Sequence, residues 1–217
     1  MSARERILGR VRDALGRNAP LSAPELAAIE AKMREHPRGP LPKMEWDPLA
    51  QFRSRCLALS STVDEVNVLA DVPAAVARYL SANGLPSAGV CWPEFASLDW
   101  AGCGLNVEAR PPTGADLTGI TGVYCALAET GTLMLLSGPA THAATSLLPE
   151  THIALVPASR IVRCMEDAWD WLRTERGTLP RQVAFVSGPS RTADIEMTLV
   201  LGIHGPYRVH IIILGAL

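Results

Sequence analysis

The sequence has no long apolar run, no paired cysteines and no excess of charge of either sign, and each absence removes a class of protein. Its longest clearly apolar stretch, Ile211 to Leu217, is far short of the roughly 20 residues that a bilayer span needs, so no transmembrane segment is predicted. The opening Met1-Ser-Ala-Arg-Glu-Arg is charged and is not followed by the apolar core of a secretory signal. Both absences predict a cytoplasmic protein. The five cysteines stand at 56, 91, 103, 125 and 164, and none forms a Cys-x-x-Cys pair. That spacing excludes a zinc ribbon, a thioredoxin motif or a ferredoxin-type cluster. An odd number of scattered cysteines reads as reduced, mostly buried thiols. The five histidines show neither His-x-x-x-His nor His-x-Glu spacing, so no metal site is predicted. With 20 basic against 22 acidic side chains, a net charge of −2 gives no electrostatic case for nucleic-acid binding.

What is present is an ordinary globular composition, 48% hydrophobic and 19% charged over 217 residues. It is unevenly distributed. Of the first 48 residues 16 are charged, against 26 of the remaining 169, and six of the 17 prolines lie in the same front part. A boundary is therefore predicted at about Trp46–Pro48, separating an N-terminal helix and proline-rich linker (1–47) from an α/β domain (48–217). In the front part Ile7, Leu8, Val11 and Leu15 recur at helical spacing over 2–16, with Arg4, Arg6, Arg10, Arg12 and Arg17 on the remaining surface. That stripe has two readings: a dock for a partner or acidic surface, or a helix packed on its own domain or another subunit. A second helix is predicted around Pro24–Glu35, since proline after Ser22 suits a helix start.

From Pro48 onward strands and helices alternate. Helices are predicted over 48–60, over 71–83 with Asp71 as cap and Gly84 as stop, and over 161–175 with Val162, Met165, Trp169 and Leu172 as the apolar stripe. Strands are predicted at 63–69, 88–92, 104–109, 152–156, 183–187 and 208–214. Residues 120–128 and 132–137 are near-continuously apolar around Glu129–Gly131, which predicts a hairpin buried on both faces. The alternation predicts a mixed, mostly parallel sheet covered by helices on both sides. No internal repeat is present.

Three places could carry chemistry. The segment Ser187-Gly188-Pro189-Ser190-Arg191-Thr192 follows a predicted strand and is read as a strand-to-helix turn. Gly188 would permit close backbone approach, Ser190 and Thr192 would add hydroxyls beside free N–H groups, and Arg191 would add a planar cation for a carboxylate or phosphate. The alternative is a plain capped helix with Arg191 in water; the pattern matches neither the Walker loop nor the dinucleotide fingerprint. At Glu129-Thr130-Gly131-Thr132 a carboxylate sits at the mouth of a buried strand, able to act as base or nucleophile if desolvated, or simply solvated at a hairpin tip. Gly202-Ile203-His204-Gly205-Pro206 offers a histidine as general base or ligand donor, or a loop histidine held by backbone. His152, just ahead of a strand, is read as structural.

Taken in order, Ala128-Glu-Thr-Gly-Thr-Leu, Ser146-Leu-Leu-Pro-Glu-Thr-His-Ile, Ser187-Gly-Pro-Ser-Arg-Thr-Ala-Asp-Ile-Glu and Gly202-Ile-His-Gly-Pro resemble the lactate utilization protein C family of stand-alone LUD-domain proteins. The resemblance implies a three-layer αβα fold similar to the isomerase/CoA-transferase/formyltetrahydrofolate cyclo-ligase group. It also implies a role in oxidising L-lactate to pyruvate with two iron–sulfur partner proteins, this chain binding no cofactor itself. The absence of cysteine pairs agrees with a cluster-free component. Joined to the motif residues, it suggests a small anionic ligand near Thr130, Gly131, Thr132, Gly188, Ser190, Arg191, Thr192, Asp194 and Gly205, with Glu129 or His204 handling a proton. Two other functions remain open at this level: an independent CoA-transferase- or ligase-like enzyme using Glu129, and a non-catalytic assembly subunit docking through its first helix.

Overall fold

The most continuous apolar runs of the chain become its central strands, because a strand covered on both faces has no need of polar positions. In the computed structural model, which describes residues 2–16, 20–194 and 197–215, Thr151–Pro157 and Arg208–Leu214 pair in parallel along their whole length in the middle of a six-stranded sheet. The strands in chain order are β1 (Thr62–Val66), β2 (Ala88–Cys91), β3 (Asn106–Glu108), β4 (Thr118–Thr121), β5 (Cys125–Leu127), β6 (Thr132–Leu136), β7 (Thr151–Pro157), β8 (Ile161–Val162), β9 (Val183–Val186), β10 (Arg191–Thr192), β11 (Val200–Leu201) and β12 (Arg208–Leu214). The large sheet runs β1-β12-β7-β4-β2-β3 and every pairing in it is parallel. The α-helices are α1 (Ala3–Ala14), α2 (Ala23–Glu35), α3 (Pro48–Ala58), α4 (Val72–Ala82), α5 (Ala144–Leu147) and α6 (Met165–Arg176).

Residues 1–43 and 44–217 form two separate units. The division falls just ahead of the predicted change at Trp46–Pro48, for identifiable reasons. Trp46 packs against the core, Asp47 caps α3 by accepting from the Ala50 N–H at 2.9 Å, and the Met44 carbonyl accepts from Arg163 at 2.8 Å. In the first unit, α1 and α2 each open on a Ser/Glu capping box, Ser2 with Glu5 and Ser22 with Glu25. Ile7, Val11 and Leu15 of the predicted stripe are exposed. Arg17 lies outside the described residues.

In the second unit the strand period sorts side chains into layers. On β1, Asp64 pairs with Arg78 of α4 at 3.0 Å and Glu65 with Arg53 of α3 at 3.4 Å, so the two helices flank opposite faces of the sheet. The antiparallel hairpin β5–β6 belongs to a second sheet, β8-β5-β6-β9. Its alternate residues divide cleanly. Ala126, Leu133 and Leu135 join the core of the parallel sheet, whereas Cys125, Leu127, Met134 and Leu136 join Ala168 and Leu172 of α6. The hairpin is thus buried on both faces, as its composition predicts, and the α/β architecture with a mostly parallel sheet stands.

Four predicted elements differ in detail. The run 120–128 is two strands, β4 and β5, which leave one sheet and enter the other through Gly122–Tyr124. The helix predicted over 161–175 begins at Met165, because Ile161–Val162 pairs with Ala126–Leu127 as β8. Asp71 precedes α4 without a side-chain capping bond, although Gly84 ends that helix region with φ of +63°. No helix follows residue 188 among the described residues. Among the described residues, no helix is long and apolar enough to cross a membrane.

Candidate functional site

The turn at 129–132 and the turn at 187–191 both close on the last turn of α3. Gly131 has φ of +66°, and a Cβ there would lie 2.9 Å from the Arg55 carbonyl carbon and 2.9 Å from the Cys56 nitrogen. Gly188 has φ of +75°, and a Cβ there would lie 2.7 Å from the Leu59 carbonyl oxygen. Both positions need glycine for the same two reasons, left-handed backbone and backbone-to-backbone proximity. Arg191 donates to the Leu59 carbonyl at 2.9 Å and the Ser60 hydroxyl at 2.7 Å. A cation at a helix C-terminus is favoured by the carbonyls left unpaired there. The turns also touch each other: Thr130 Oγ1 and Thr132 Oγ1 are 2.7 Å apart, and Thr132 Oγ1 and Ser187 Oγ are 2.7 Å apart. Glu129 is half-buried, and its N–H donates to the Arg163 carbonyl at 3.0 Å.

The predicted strand-to-helix turn is corrected by this geometry. β9 is antiparallel to β6 in the smaller sheet, so the rule that ligands collect beyond parallel strand ends does not reach it. Beyond Gly188 the chain forms β10, paired with β11, instead of a helix. The reason lies at Ser190. Its N–H donates to Pro206 O at 2.9 Å and its carbonyl accepts from Gly202 N at 3.0 Å, so both groups are taken by the 202–206 loop. The N–H fan of a helix start, on which the anion argument at 187–192 depended, is therefore not formed. Ile195 and Glu196, the end of that motif, lie outside the described residues.

A second cluster is more open. The Ser190 hydroxyl accepts from His204 N at 3.3 Å, and His204 Nε2 lies 3.5 Å from Asp194 Oδ2, both side chains being largely exposed. Gly205 packs against Ser190, and buried Thr192 accepts from the Asp194 N–H at 3.2 Å. The structure thus gathers the predicted residues into two groups. Thr130, Gly131, Thr132, Gly188 and Arg191 are drawn around the end of α3, whereas Ser190, Thr192, Asp194, His204 and Gly205 form an open loop cluster. Among the described residues no three His, Cys, Asp or Glu side chains are gathered to hold a metal ion. Burial pushes the thiols up, to about 12 for Cys56 and Cys125 and about 11 for Cys91, which makes them poor nucleophiles and ligands.

Sequence reasoning assigned no role to a third set. Trp92 and Glu94 follow β2, Val123 and Tyr124 follow β4, Arg160 follows β7 and Arg176 ends α6, and all six line one cavity. The signal that could have found them is positional: five of the six stand within a few residues after a strand of the parallel sheet.

Comparison with known proteins agrees with the motif order. Residues 113–214 match the family model described as the LUD domain. A protein named lactate utilization protein C from Shouchella clausii is 46% identical over 92 residues, 42% of this chain and 40% of that protein. One of the same name from Bacillus subtilis is 43% identical over 100 residues, 45% of this chain and 42% of that protein. The chain thus spans about two fifths of the length of these curated relatives. A solved structure of a DUF162 family protein from Deinococcus radiodurans superposes with a TM-score of 0.59 at 24% identity, covering 80% of this chain and 100% of that one. It shares the fold.

Proposed function

Because residues 113–214 match the LUD domain, we propose that this chain serves in lactate utilization, as the cluster-free component of a cytoplasmic system that oxidises L-lactate to pyruvate. The observation that carries this reading is the sequence identity of 43–46% over 92 to 100 residues with proteins named lactate utilization protein C. Two iron–sulfur proteins are the proposed partners, and they would carry the electrons. The cysteines of this chain are scattered, and burial pushes the thiols of Cys56, Cys91, Cys125 and Cys164 up, which supports a division of labour in which the clusters are elsewhere. A small anionic ligand is proposed to meet the open cluster of Ser190, Asp194, His204 and Gly205. The ring of contacts around the end of α3 holds the turns that present it, and His204 is the group able to carry a proton there.

The test is growth. A strain lacking this chain is expected to lose growth on L-lactate while keeping growth on pyruvate, with the intact chain restoring it and His204→Asn restoring it more slowly. Undiminished growth of the deletion strain on L-lactate would overturn the proposal.

A further inference from the structure

Connectivity singles out one end of the parallel sheet. From β2 the chain continues outward to β3, whereas from β4 it continues to β7 on the opposite side. The carboxyl ends of β2 and β4 are therefore a switch point, where departing segments diverge and leave a crevice. The cavity lined by Trp92, Glu94, Val123, Tyr124, Arg160 and Arg176 stands there, also bordered by Leu136, Ser137 and Thr141.

Its size sets the class of occupant. The cavity holds about 180 Å³, roughly the share of six liquid waters at about 30 Å³ each. That is below the roughly 300 Å³ where sites for larger ligands begin. Its charge sets the sign. Glu175 is already matched, since Arg160 donates to its two oxygens at 2.7 and 3.2 Å and the Tyr124 hydroxyl donates at 2.9 Å. Arg160 itself is held between the rings of Tyr124 and Trp171, at 5.2 and 5.3 Å from their centroids. With that network neutral, Arg176 is the remaining cation on the lining. Glu94, the carboxyl on the lining, is pushed up by desolvation. Gly122 keeps this corner close: a Cβ there would lie 2.8 Å from Glu94 Oε1. Val123, Leu136 and the Trp92 ring offer an apolar wall beside the charged one.

We propose that this cavity is a binding site for a small organic carboxylate, its carboxylate facing Arg176 and its carbon skeleton resting on Trp92, Val123 and Leu136. A planar guanidinium engages a carboxylate through two parallel N–H donors, and the apolar wall favours a carboxylate over an inorganic anion of equal charge. The inference stands on the cavity and does not require the lactate reading.

Titration of the full chain with acetate, pyruvate, L-lactate and inorganic phosphate, read by calorimetry and thermal shift, tests it. At least one carboxylate is expected to bind saturably and more tightly than phosphate. Arg176→Gln is expected to weaken that binding at least tenfold with unchanged circular dichroism. Val123→Trp, which fills the cavity without touching a charge, is expected to abolish it, and Arg34→Gln, on exposed α2, to leave it unchanged. Absence of saturable carboxylate binding overturns the proposal, as does phosphate binding of equal strength. So does retained affinity in both cavity variants. Loss in His204→Asn with retention in Arg176→Gln would move the ligand to the open loop cluster, overturning the cavity assignment while leaving the proposed function intact.

Discussion

Gly131 and Gly188 look alike in the sequence, each inside a short polar motif, and the structure gives them the same task at one helix end. Both take positive φ, and both lie where any side chain would meet the backbone of α3. Their special status was legible, because glycine beside hydroxyl residues marks a turn. The partner was not: Arg55 to Ser60 lies far away in sequence, and no local pattern links it to either motif. The same holds for Arg191, whose bonds to Leu59 and Ser60 make it the cap of a distant helix. Gly131→Ala is expected to destabilise the protein by about 2–4 kcal/mol, the combined cost of a left-handed alanine and a backbone contact that cannot relax. Urea unfolding would measure it, and a loss under about 0.5 kcal/mol, the range of ordinary surface changes, would refute the packing argument.

At the scale of elements, the strands that read most plainly were β7 and β12, each buried except at its ends. The junction between β4 and β5 was hidden by the same property. Both pieces are buried throughout, so hydrophobicity shows no interruption at Gly122–Tyr124. β8 was hidden differently: two residues become a strand only because β5 is beside them. The central strands also carry a pH dependence. His152 of β7 and His210 of β12 are buried, bonded to Thr121 and Thr62 at 2.8 Å each, and burial pushes both down to about 4 from 6.5. The other nitrogen of each ring has no partner among the described residues. Between pH 6.5 and 4 the unfolded chain therefore binds protons that the folded chain refuses. Stability is expected to be full above 6.5 and to fall as pH drops toward 4, levelling off in this contribution below that value. Unfolding curves across this range should show the slope, and His152→Asn should flatten it; an unchanged slope would mean that other groups govern acid unfolding.

For the whole molecule, the second unit begins at Met44, a few residues ahead of the change in charge density. Neither α1 nor α2 has a buried residue. A chain shortened to residues 44–217 is expected to unfold in a single transition with a midpoint within about 2 °C of the full chain, by the usual conversion of small stability changes. A large drop by calorimetry would show that the first unit supports the second. The cavity at the sheet end escaped sequence reasoning for a reason belonging to this scale. Its residues are spread from 92 to 176, and only the strand order brings them together.

That strand order bears on how the protein is made. β12 lies between β1 and β7, yet it comes 148 positions after its partner Thr62, as the pairing of Thr62 with His210 shows. While a ribosome is still short of residue 208, β1 has no neighbour and β7 shows an open flank of unpaired amides and carbonyls. The sheet is finished by insertion, with its middle slat arriving last. Newborn chains must therefore spend part of synthesis with two adhesive borders facing solvent, the situation in which holdase chaperones are most needed.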